Sequence, residues 1–278
     1  MLRISRNNDL LSFHQIHQTQ GMDMKHPIGI QIYTLRNRLR EDFSGTLSLI
    51  RQIGFDNVEY VKNCIDLSAE DLSAAAGKAG LTTCGIHVKS SDLLEDSTAV
   101  CSYAGLISSP YITTSLMPPT DFDSWQNIVK YCQEAGKKAA EAGLIFTYHN
   151  HWYEPMLHND SSILEKILEE TDSAEVALEL DVAWVAAAGR DPAKFIEKYG
   201  SRIGQIHFKD IKLSAFDLER PQSCLTFLGN GDVDLKACAE AAKRSCAATV
   251  PFIYEQDLPD GDIAENAADS FAVLRDLA

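Results

Sequence analysis

Two kinds of hydrophobic pattern alternate along the chain from residue 28 onward. Short runs rich in β-branched and aromatic residues, typical of buried strands, are followed by stretches with the three-to-four-residue spacing of amphipathic helices. The predicted strands are 28–34, 57–61, 82–88, 111–115, 144–150, 176–181, 203–209 and 250–256. The predicted helices are 41–53, 68–79, 92–106, 121–142, 160–170, 191–199, 234–247 and 264–277.

The regular spacing of these elements predicts an α/β fold, a single (β/α)8 TIM barrel formed by residues 26–278. Strand starts recur every 25 to 33 residues until a last interval of 47, which contains a long insertion after the seventh strand. A doubly wound open sheet is the alternative architecture. The turn after the first strand, TLRNRLRED, lacks the glycine-rich dinucleotide fingerprint of such sheets, and the sequence has no P-loop motif.

The first 25 residues fall outside this pattern. They are polar, with several glutamines and asparagines, and lack the apolar segment of a signal peptide. We expect a poorly ordered N-terminal extension at 1–25, with a transit peptide as the weaker alternative. No apolar run in the sequence approaches the roughly 20 residues that a membrane span needs.

Charge and cysteine content narrow the range of partners. Lys and Arg total 25 against 40 Asp and Glu, a formal charge of −15, which disfavours binding to nucleic acid or to anionic membranes. The seven cysteines show no CxxC spacing and are typical of reduced thiols in a cytoplasmic protein. A small molecule is therefore the expected partner, and a homodimer is an option by analogy with other barrels.

Ionisable residues are concentrated at the ends of the last four predicted strands, where a TIM barrel has its active site. Residues two apart on a strand point to the same side. Buried ionisable groups are costly unless they are paired or bound to a metal. Their mixture of imidazole and carboxylate donors predicts one divalent metal ion, Mn²⁺ by preference, with Zn²⁺, Co²⁺ or Mg²⁺ as alternatives. The four pairs are His149 with His151, Glu179 with Asp181, His207 with Lys209, and Glu255 with Asp257.

Seven motifs occur in order along residues 28–278. They are GIQIYTLR (29–36), GFDNVEY (54–60), YHNHWYE (148–154), LELDVAWVAAAGRDP (178–192), IHFKD (206–210), GNGDVD (229–234) and YEQD (254–257). Taken together, the chain resembles the xylose isomerase-like TIM-barrel superfamily. That superfamily includes sugar phosphate isomerases/epimerases, inosose dehydratase-like proteins and endonuclease IV.

The resemblance implies a single metal ion at the ends of strands five to eight. Many members have Glu at the first ligand position, whereas this chain has YHNH, which leaves His149, His151 or neither of them as the first ligand. The implied metal ligands are His149, Asp181, His207 and Glu255. The expected catalytic residues are Glu255, His151 and Lys209. The expected substrate-binding residues are Gln31, Glu59, His87, Trp184 and Arg36.

Such a site predicts chemistry on a sugar. A divalent ion polarises a ketone and a neighbouring hydroxyl, and an acid–base residue then moves the acidified C–H proton through an enediolate. The expected function is a metal-dependent sugar isomerase or epimerase acting on a keto-sugar or cyclitol.

Dehydratase or lyase chemistry on a 3-keto-glycoside or inosose is the alternative hypothesis. The superfamily's epimerases use two metal-bound glutamates, and only Glu255 matches in this chain. A non-catalytic sugar-binding barrel is a third hypothesis. An abasic-site endonuclease is disfavoured, because Trp184 stands where that enzyme has a further histidine ligand and because the chain is acidic.

Overall fold

A computed structural model describes residues 25–116, 124–158, 161–258 and 261–278. Eight parallel strands close into a barrel in which each strand pairs with the next and the last pairs with the first. This architecture confirms the predicted (β/α)8 TIM barrel. The strands are β1 Ile28–Gln31, β2 Asn57–Val61, β3 Thr82–His87, β4 Tyr111–Ser115, β5 Ile145–His149, β6 Val176–Asp181, β7 Ile203–Phe208 and β8 Phe252–Tyr254.

Helices surround the barrel. The described α-helices are Arg36–Glu41, Phe43–Ile53, Ala69–Ala79, Ser90–Glu95, Ser97–Leu106, Trp125–Glu141, Ile163–Glu170, Val182–Ala187, Pro192–Tyr199, Leu235–Ser245 and Ile263–Leu277. Short 3-10 helices are Ile32–Leu35, Lys62–Cys64, Gly200–Arg202, Leu213–Ala215 and Pro221–Cys224. Two small antiparallel sheets pair Asp210–Ile211 with Leu225–Thr226 and Leu157–His158 with Ser161–Ser162. The extension predicted at 1–25 lies, apart from Lys25, outside the described residues, as does the start of the helix predicted at 121–142.

At two places an aspartate separates consecutive helices. Between Arg36–Glu41 and Phe43–Ile53, the Asp42 carboxylate accepts a hydrogen bond from the Gly45 backbone N–H at 2.8 Å. Asp96 accepts from the Ala99 N–H at 3.0 Å in the same way. A short acidic side chain favours a helix N-cap over a helix interior. Capping by Asp96 therefore divides the helix predicted at 92–106 into two, whereas the helix before Asp42, Arg36–Glu41, lies in a segment predicted as a turn.

Strand alternation sorts the side chains between two environments. On β6, Leu178 and Leu180 belong to the main hydrophobic cluster, which fills the space between strands and helices. Their neighbour Glu179, with Gln205 and His207 on β7, is fully buried among polar partners from other strands. The barrel interior therefore contains a hydrogen-bonded polar network rather than an apolar filling.

Two further observations concern the chain as a whole. All seven cysteines are free thiols. Among the helices of the described ranges, none has both the length and the apolarity to cross a membrane.

Candidate metal centre and active site

Four donor side chains meet at the carboxyl ends of the last four strands. His149 and Asp181 end β5 and β6, His207 lies on β7, and Glu255 directly follows β8. One ligand atom from each lies within 4.8 Å of the others, and all four residues are buried. Parallel pairing brings them together, because Asp181 aligns with His207 across β6 and β7. The structure thus assembles the four residues that the sequence predicts as metal ligands.

Two buried donor atoms of this set make no hydrogen bond within the described residues. Asp181 Oδ1 accepts from the N–H groups of Ala183 and Trp184 at 2.9 and 3.1 Å, whereas its Oδ2 accepts none. His149 Nδ1 lies 2.9 Å from Glu179 Oε1 but without hydrogen-bond geometry. Burial lowers the pKa of His149 well below its usual value. A carboxylate oxygen without a hydrogen bond and a neutral imidazole are donors that a divalent ion takes, so these residues fit a metal.

Two carboxylates outside the ligand set, those of Glu59 and Glu179, lie beside Nε2 of His207. Its Nε2 lies 2.6 Å from Glu59 Oε2 and 3.1 Å from Glu179 Oε1, while its Nδ1 lies 2.8 Å from Glu255 Oε2. His87 Nε2 lies 2.5 Å from Glu179 Oε1 and 3.3 Å from Glu59 Oε1. Nδ1 of His207 therefore faces one carboxylate of the ligand set, and its Nε2 faces two carboxylates outside that set.

Neighbouring carboxylates favour the protonated form of His87 and His207. Burial opposes charge on His87, but Glu179 and Glu59 outweigh it and raise its pKa to about 10. Burial also opposes charge on His207, but Glu179, Glu59 and Glu255 outweigh it and raise the pKa of His207 well above its usual value. Burial and the neighbouring Glu59 raise the pKa of Glu179 to about 7. Metal binding through His207 must therefore displace a proton.

Glu59 is completely enclosed by protein partners. Gln31 Nε2 donates to its Oε2 at 2.9 Å and Gln205 Nε2 donates to its Oε1 at 3.0 Å. Thr113 and Thr147 in turn donate to Gln205 Oε1. The structure brings Gln31, Glu59 and His87 together beside His207, and substrate contact by these three side chains stays a prediction.

Lys209 lies among three carboxylates. Its Nζ is 3.0 Å from Asp181 Oδ2, 2.9 Å from Glu255 Oε2 and 3.0 Å from Asp257 Oδ2. Burial disfavours the ammonium, but the carboxylates outweigh it and raise the pKa of Lys209 well above its usual value. Burial also raises the pKa of Asp257 to about 6. Lys209 is therefore a permanent positive charge at the candidate ligands.

His151 follows β5 on a segment held by a buried acid. Glu154 Oε2 accepts from the His151 backbone N–H at 2.8 Å, and its Oε1 accepts from the Tyr148 hydroxyl at 2.9 Å. Burial raises the pKa of Glu154 to about 8 and lowers the pKa of His151 to about 3. The His151 imidazole is therefore neutral, and its ring centroid lies 5.2 Å from that of His149.

Trp184 and Arg36, the two remaining candidates for substrate binding, have different neighbours. Trp184 is only 1% exposed, and its ring lies 5.6 Å from that of Trp152 and 5.3 Å from Lys209 Nζ. Arg36 donates to the Tyr33 carbonyl at 3.0 Å and stacks over the Tyr33 ring. The structure thus places Trp184 beside Lys209, while the described contacts of Arg36 are made with Tyr33.

Sequence reasoning missed two positioning residues. Asn150 joins the ends of β5 and β6, because its Oδ1 accepts from the Asp181 N–H at 3.0 Å and its Nδ2 donates to the Asp181 carbonyl at 3.3 Å. Asp210 accepts four backbone N–H bonds, three of them from residues 229–233. The sequence signal for both residues is their position inside the motifs YHNHWYE and IHFKD, where Asn150 adjoins His149 and Asp210 adjoins Lys209.

Comparison with known proteins gives a consistent result. A family model described as "Xylose isomerase-like TIM barrel" matches residues 47–277. An inosose dehydratase of Lacticaseibacillus casei is 28% identical over 134 residues, which are 44% of this chain and 44% of that protein. Inosose dehydratase 2 of Bacillus cereus is 27% identical over 186 residues, 62% of this chain and 61% of that protein. The chain thus spans about half the length of the curated relatives it matches.

Solved structures resemble the barrel over nearly its whole length. A sugar phosphate isomerase/epimerase from Parabacteroides distasonis superposes with a TM-score of 0.74 at 20% identity, covering 89% of this chain and 98% of that one. The IolI protein with a bound zinc atom gives a TM-score of 0.72 at 14% identity, covering 90% and 97%. At these identities the likeness concerns the fold.

Proposed function

Because this chain belongs to the xylose isomerase-like TIM-barrel family, we propose that it is a metal-dependent sugar-modifying enzyme. Within that class we propose a dehydratase or lyase that acts on a keto-cyclitol or keto-sugar. The observation that carries the proposal is the buried set His149, Asp181, His207 and Glu255, in which Asp181 Oδ2 and His149 Nδ1 make no hydrogen bond within the described residues. The seven free thiols support a cytoplasmic location.

Elimination is favoured over epimerisation by the composition of the ligand set. A symmetric two-glutamate mechanism needs a carboxylate at the end of β5, where this chain has His149. The relatives named inosose dehydratase support the same choice, since an inosose is a ketone of a cyclitol. An isomerase or epimerase begins with the same proton abstraction and is therefore the second outcome that the experiment must separate.

His149, Asp181, His207 and Glu255 would hold the metal, and we propose Mn²⁺, with Zn²⁺, Co²⁺ or Mg²⁺ as alternatives. When bound, a divalent ion supplies a Lewis acid that polarises the substrate carbonyl and its neighbouring hydroxyl. The zinc atom in the IolI structure is in keeping with a divalent ion in this fold.

The protein's own groups would move the proton and hold the substrate. The neutral His151 imidazole, a weak base because its pKa is lowered to about 3, accepts the C–H proton next to the carbonyl and returns it to the departing hydroxyl, which leaves as water. Lys209 stabilises negative charge that develops on substrate oxygen. The half-buried Trp152, packed on Trp184, offers an aromatic surface for the apolar face of a sugar ring.

The test is proton exchange in D₂O. The protein is loaded with Mn²⁺ and incubated with inososes, 3-keto-glycosides and ketoses, and the spectra are followed by NMR. We expect deuterium at the carbon next to the carbonyl, together with an unsaturated product that has lost water or an aglycone. Movement of the carbonyl without such loss would instead identify an isomerase.

Two glutamine variants provide the control. Glu255→Gln alters a candidate ligand and should lose most of the exchange, whereas Glu240→Gln alters an exposed helix residue and should retain it. A protein that binds no metal and catalyses no exchange across the panel is a sugar-binding barrel at most, and the proposal then fails.

A further inference from the structure

The Lys209 ammonium contacts two of the oxygens that a metal ion needs. Its Nζ lies 3.0 Å from Asp181 Oδ2 and 2.9 Å from Glu255 Oε2, and both residues belong to the candidate ligand set. The third contact, 3.0 Å to Asp257 Oδ2, is to a carboxylate outside that set. A lysine that is 1% exposed thus bridges candidate ligands and a non-ligand.

A metal ion and this ammonium compete for the same charges. Both are cations, and in a buried site their repulsion is weakly screened. The Glu255 oxygen that contacts Nζ, Oε2, also lies 2.8 Å from His207 Nδ1, and the Asp181 oxygen that contacts Nζ, Oδ2, is the one that takes no part in helix capping. A dication held by these oxygens therefore repels an ammonium that keeps both contacts.

We propose that Lys209 and Asp257 form a cation-exchange pair. In the metal-free protein the ammonium bridges Asp181 and Glu255. When a divalent ion takes these carboxylates, the ammonium withdraws to Asp257, which keeps its charge compensated. The inference rests on the metal site of the proposed function and adds Asp257 as a residue that positions Lys209.

The described contacts already favour Asp257 as the anchor. Nζ donates a hydrogen bond to Asp257 Oδ2, whereas Asp181 Oδ2 has no hydrogen bond despite its 3.0 Å contact with Nζ. Side-chain exposure rises from 0% for Asp181 through 9% for Glu255 to 12% for Asp257. Withdrawal thus moves the ammonium outward, and the long flexible side chain of lysine makes this a rotamer change rather than a backbone change.

The exchange has consequences for metal affinity. Removing the ammonium eliminates a competing cation, so Lys209→Met should bind Mn²⁺ at least about tenfold more tightly than the wild type. Removing the anchor leaves the displaced ammonium without a partner, so Asp257→Asn should weaken Mn²⁺ binding by about tenfold when Lys209 is present. In the Lys209→Met background the same Asp257→Asn change should cost less than about threefold, because there is no ammonium to anchor.

A double-mutant cycle on the full chain tests this, with Mn²⁺ affinity measured by isothermal titration calorimetry. Asp276→Asn, an exposed change in the last helix, is the control and should leave affinity unchanged. Equal losses from Asp257→Asn in both backgrounds would show that Asp257 acts by its charge alone and would overturn the exchange. If the wild type binds no Mn²⁺, the proposed function fails first.

Crystal structures of the wild type with and without Mn²⁺ give a second readout that does not depend on the variants folding. We expect Lys209 Nζ to keep its hydrogen bond to Asp257 and to leave Asp181 when the metal is present. A metal-bound structure in which Nζ still lies about 3 Å from Asp181 Oδ2 would overturn the proposal.

Discussion

At the scale of single residues, the interior of the barrel leaves no room beside Gly85. A Cβ placed there would lie 2.5 Å from Gln205 Nε2 and 2.9 Å from Glu59 Oε1. Both neighbours belong to the buried network that supports His207. A glycine on β3 is therefore required by the close approach of polar side chains from β2 and β7.

Gly85→Ala should destabilise the protein by about 1–3 kcal/mol, because the added methyl group overpacks a buried and hydrogen-bonded site. The matched change is Gly77→Ala, in the interior of the helix Ala69–Ala79, where a Cβ would meet nothing within 4 Å. That variant should gain roughly 0.5–1 kcal/mol from the lower backbone entropy of alanine in the unfolded chain. Chemical denaturation of both variants measures the difference, and equal stabilities would contradict the assigned role of Gly85.

The Glu59 carboxylate is a second residue whose role the structure defines. It accepts from Gln31, Gln205 and His207, and a glutamine in its place would turn an NH₂ group toward one of these donors. Glu59→Gln should therefore cost about 1–3 kcal/mol of stability. Loss of the carboxylate that orients a metal-binding imidazole should also weaken Mn²⁺ binding by about 10–100-fold.

Glu70→Gln is the control for this change, since Glu70 is exposed on the helix Ala69–Ala79. It should leave the free energy of unfolding within about 0.5 kcal/mol of the wild type. Wild-type metal affinity in Glu59→Gln would show that Glu59 does not position His207.

At the scale of elements, one acid joins two neighbouring helices. Glu165 caps the helix Ile163–Glu170 in a reciprocal box with Ser162. Its carboxylate accepts two hydrogen bonds from Arg190 and further bonds from Lys198 and Tyr199 of the helix Pro192–Tyr199. Burial opposes ionisation of Glu165, but the bonds from Arg190 and Ser162 outweigh it and hold its pKa at about 2.

This arrangement predicts acid sensitivity. Because the pKa of Glu165 is about 2 when folded and about 4.3 in an unfolded chain, its contribution is fully present above about pH 4.3 and disappears as pH falls through 2. Glu165→Gln should cost about 1–3 kcal/mol at pH 7, and the gap to the wild type should narrow between pH 5 and pH 2. Urea denaturation across this range measures the gap.

The neighbouring Glu169→Gln serves as the control, because Glu169 is half exposed and pairs only with Lys166 among the described residues. Its difference from the wild type should stay within about 0.5 kcal/mol throughout. A gap for Glu165→Gln that does not change with pH would contradict the charged role of Glu165.

Element boundaries mark the limit of what hydrophobic spacing can predict. The pattern predicts the eight strands because apolar residues on them face the helices, as Leu178 and Leu180 do. It does not predict that β1 ends at Gln31, where the glutamine side chain accepts from the Tyr33 N–H and starts a 3-10 helix. Such endings depend on a single hydrogen bond, which leaves no periodic signal.

At the scale of the whole molecule, the candidate site was predictable in outline and not in detail. Parallel strands place their carboxyl ends together, so a histidine or acid at each end implies convergence without any coordinates. The contact between Glu59 and His207 joins residues 148 positions apart across the closed barrel. Sequence spacing carries no information on such a pairing. For that reason the sequence predicts a substrate contact for Glu59 and does not predict its contact with His207.

Metal removal should lower the stability of the whole barrel. A ligand that binds only the folded protein stabilises it by about 2.7 kcal/mol at a hundred times its dissociation constant. For a chain of this size that amounts to roughly 5–10 °C in Tm, since each kcal/mol is worth about 2–4 °C. Thermal unfolding with EDTA and with Mn²⁺ should therefore differ by this amount.

Asparagine variants of two helix-capping aspartates distinguish loss of metal binding from loss of helix capping. Asp181 caps the helix Val182–Ala187 and Asp191 caps Pro192–Tyr199, and an asparagine can replace either as a cap. Asp181→Asn should therefore fold but lose most of the Mn²⁺-dependent shift, because it replaces the oxygen that takes no part in capping, Oδ2, which is the proposed metal ligand. Asp191→Asn should keep the shift. If both variants keep it, the ion binds elsewhere, and the four strand-end residues are not its ligands.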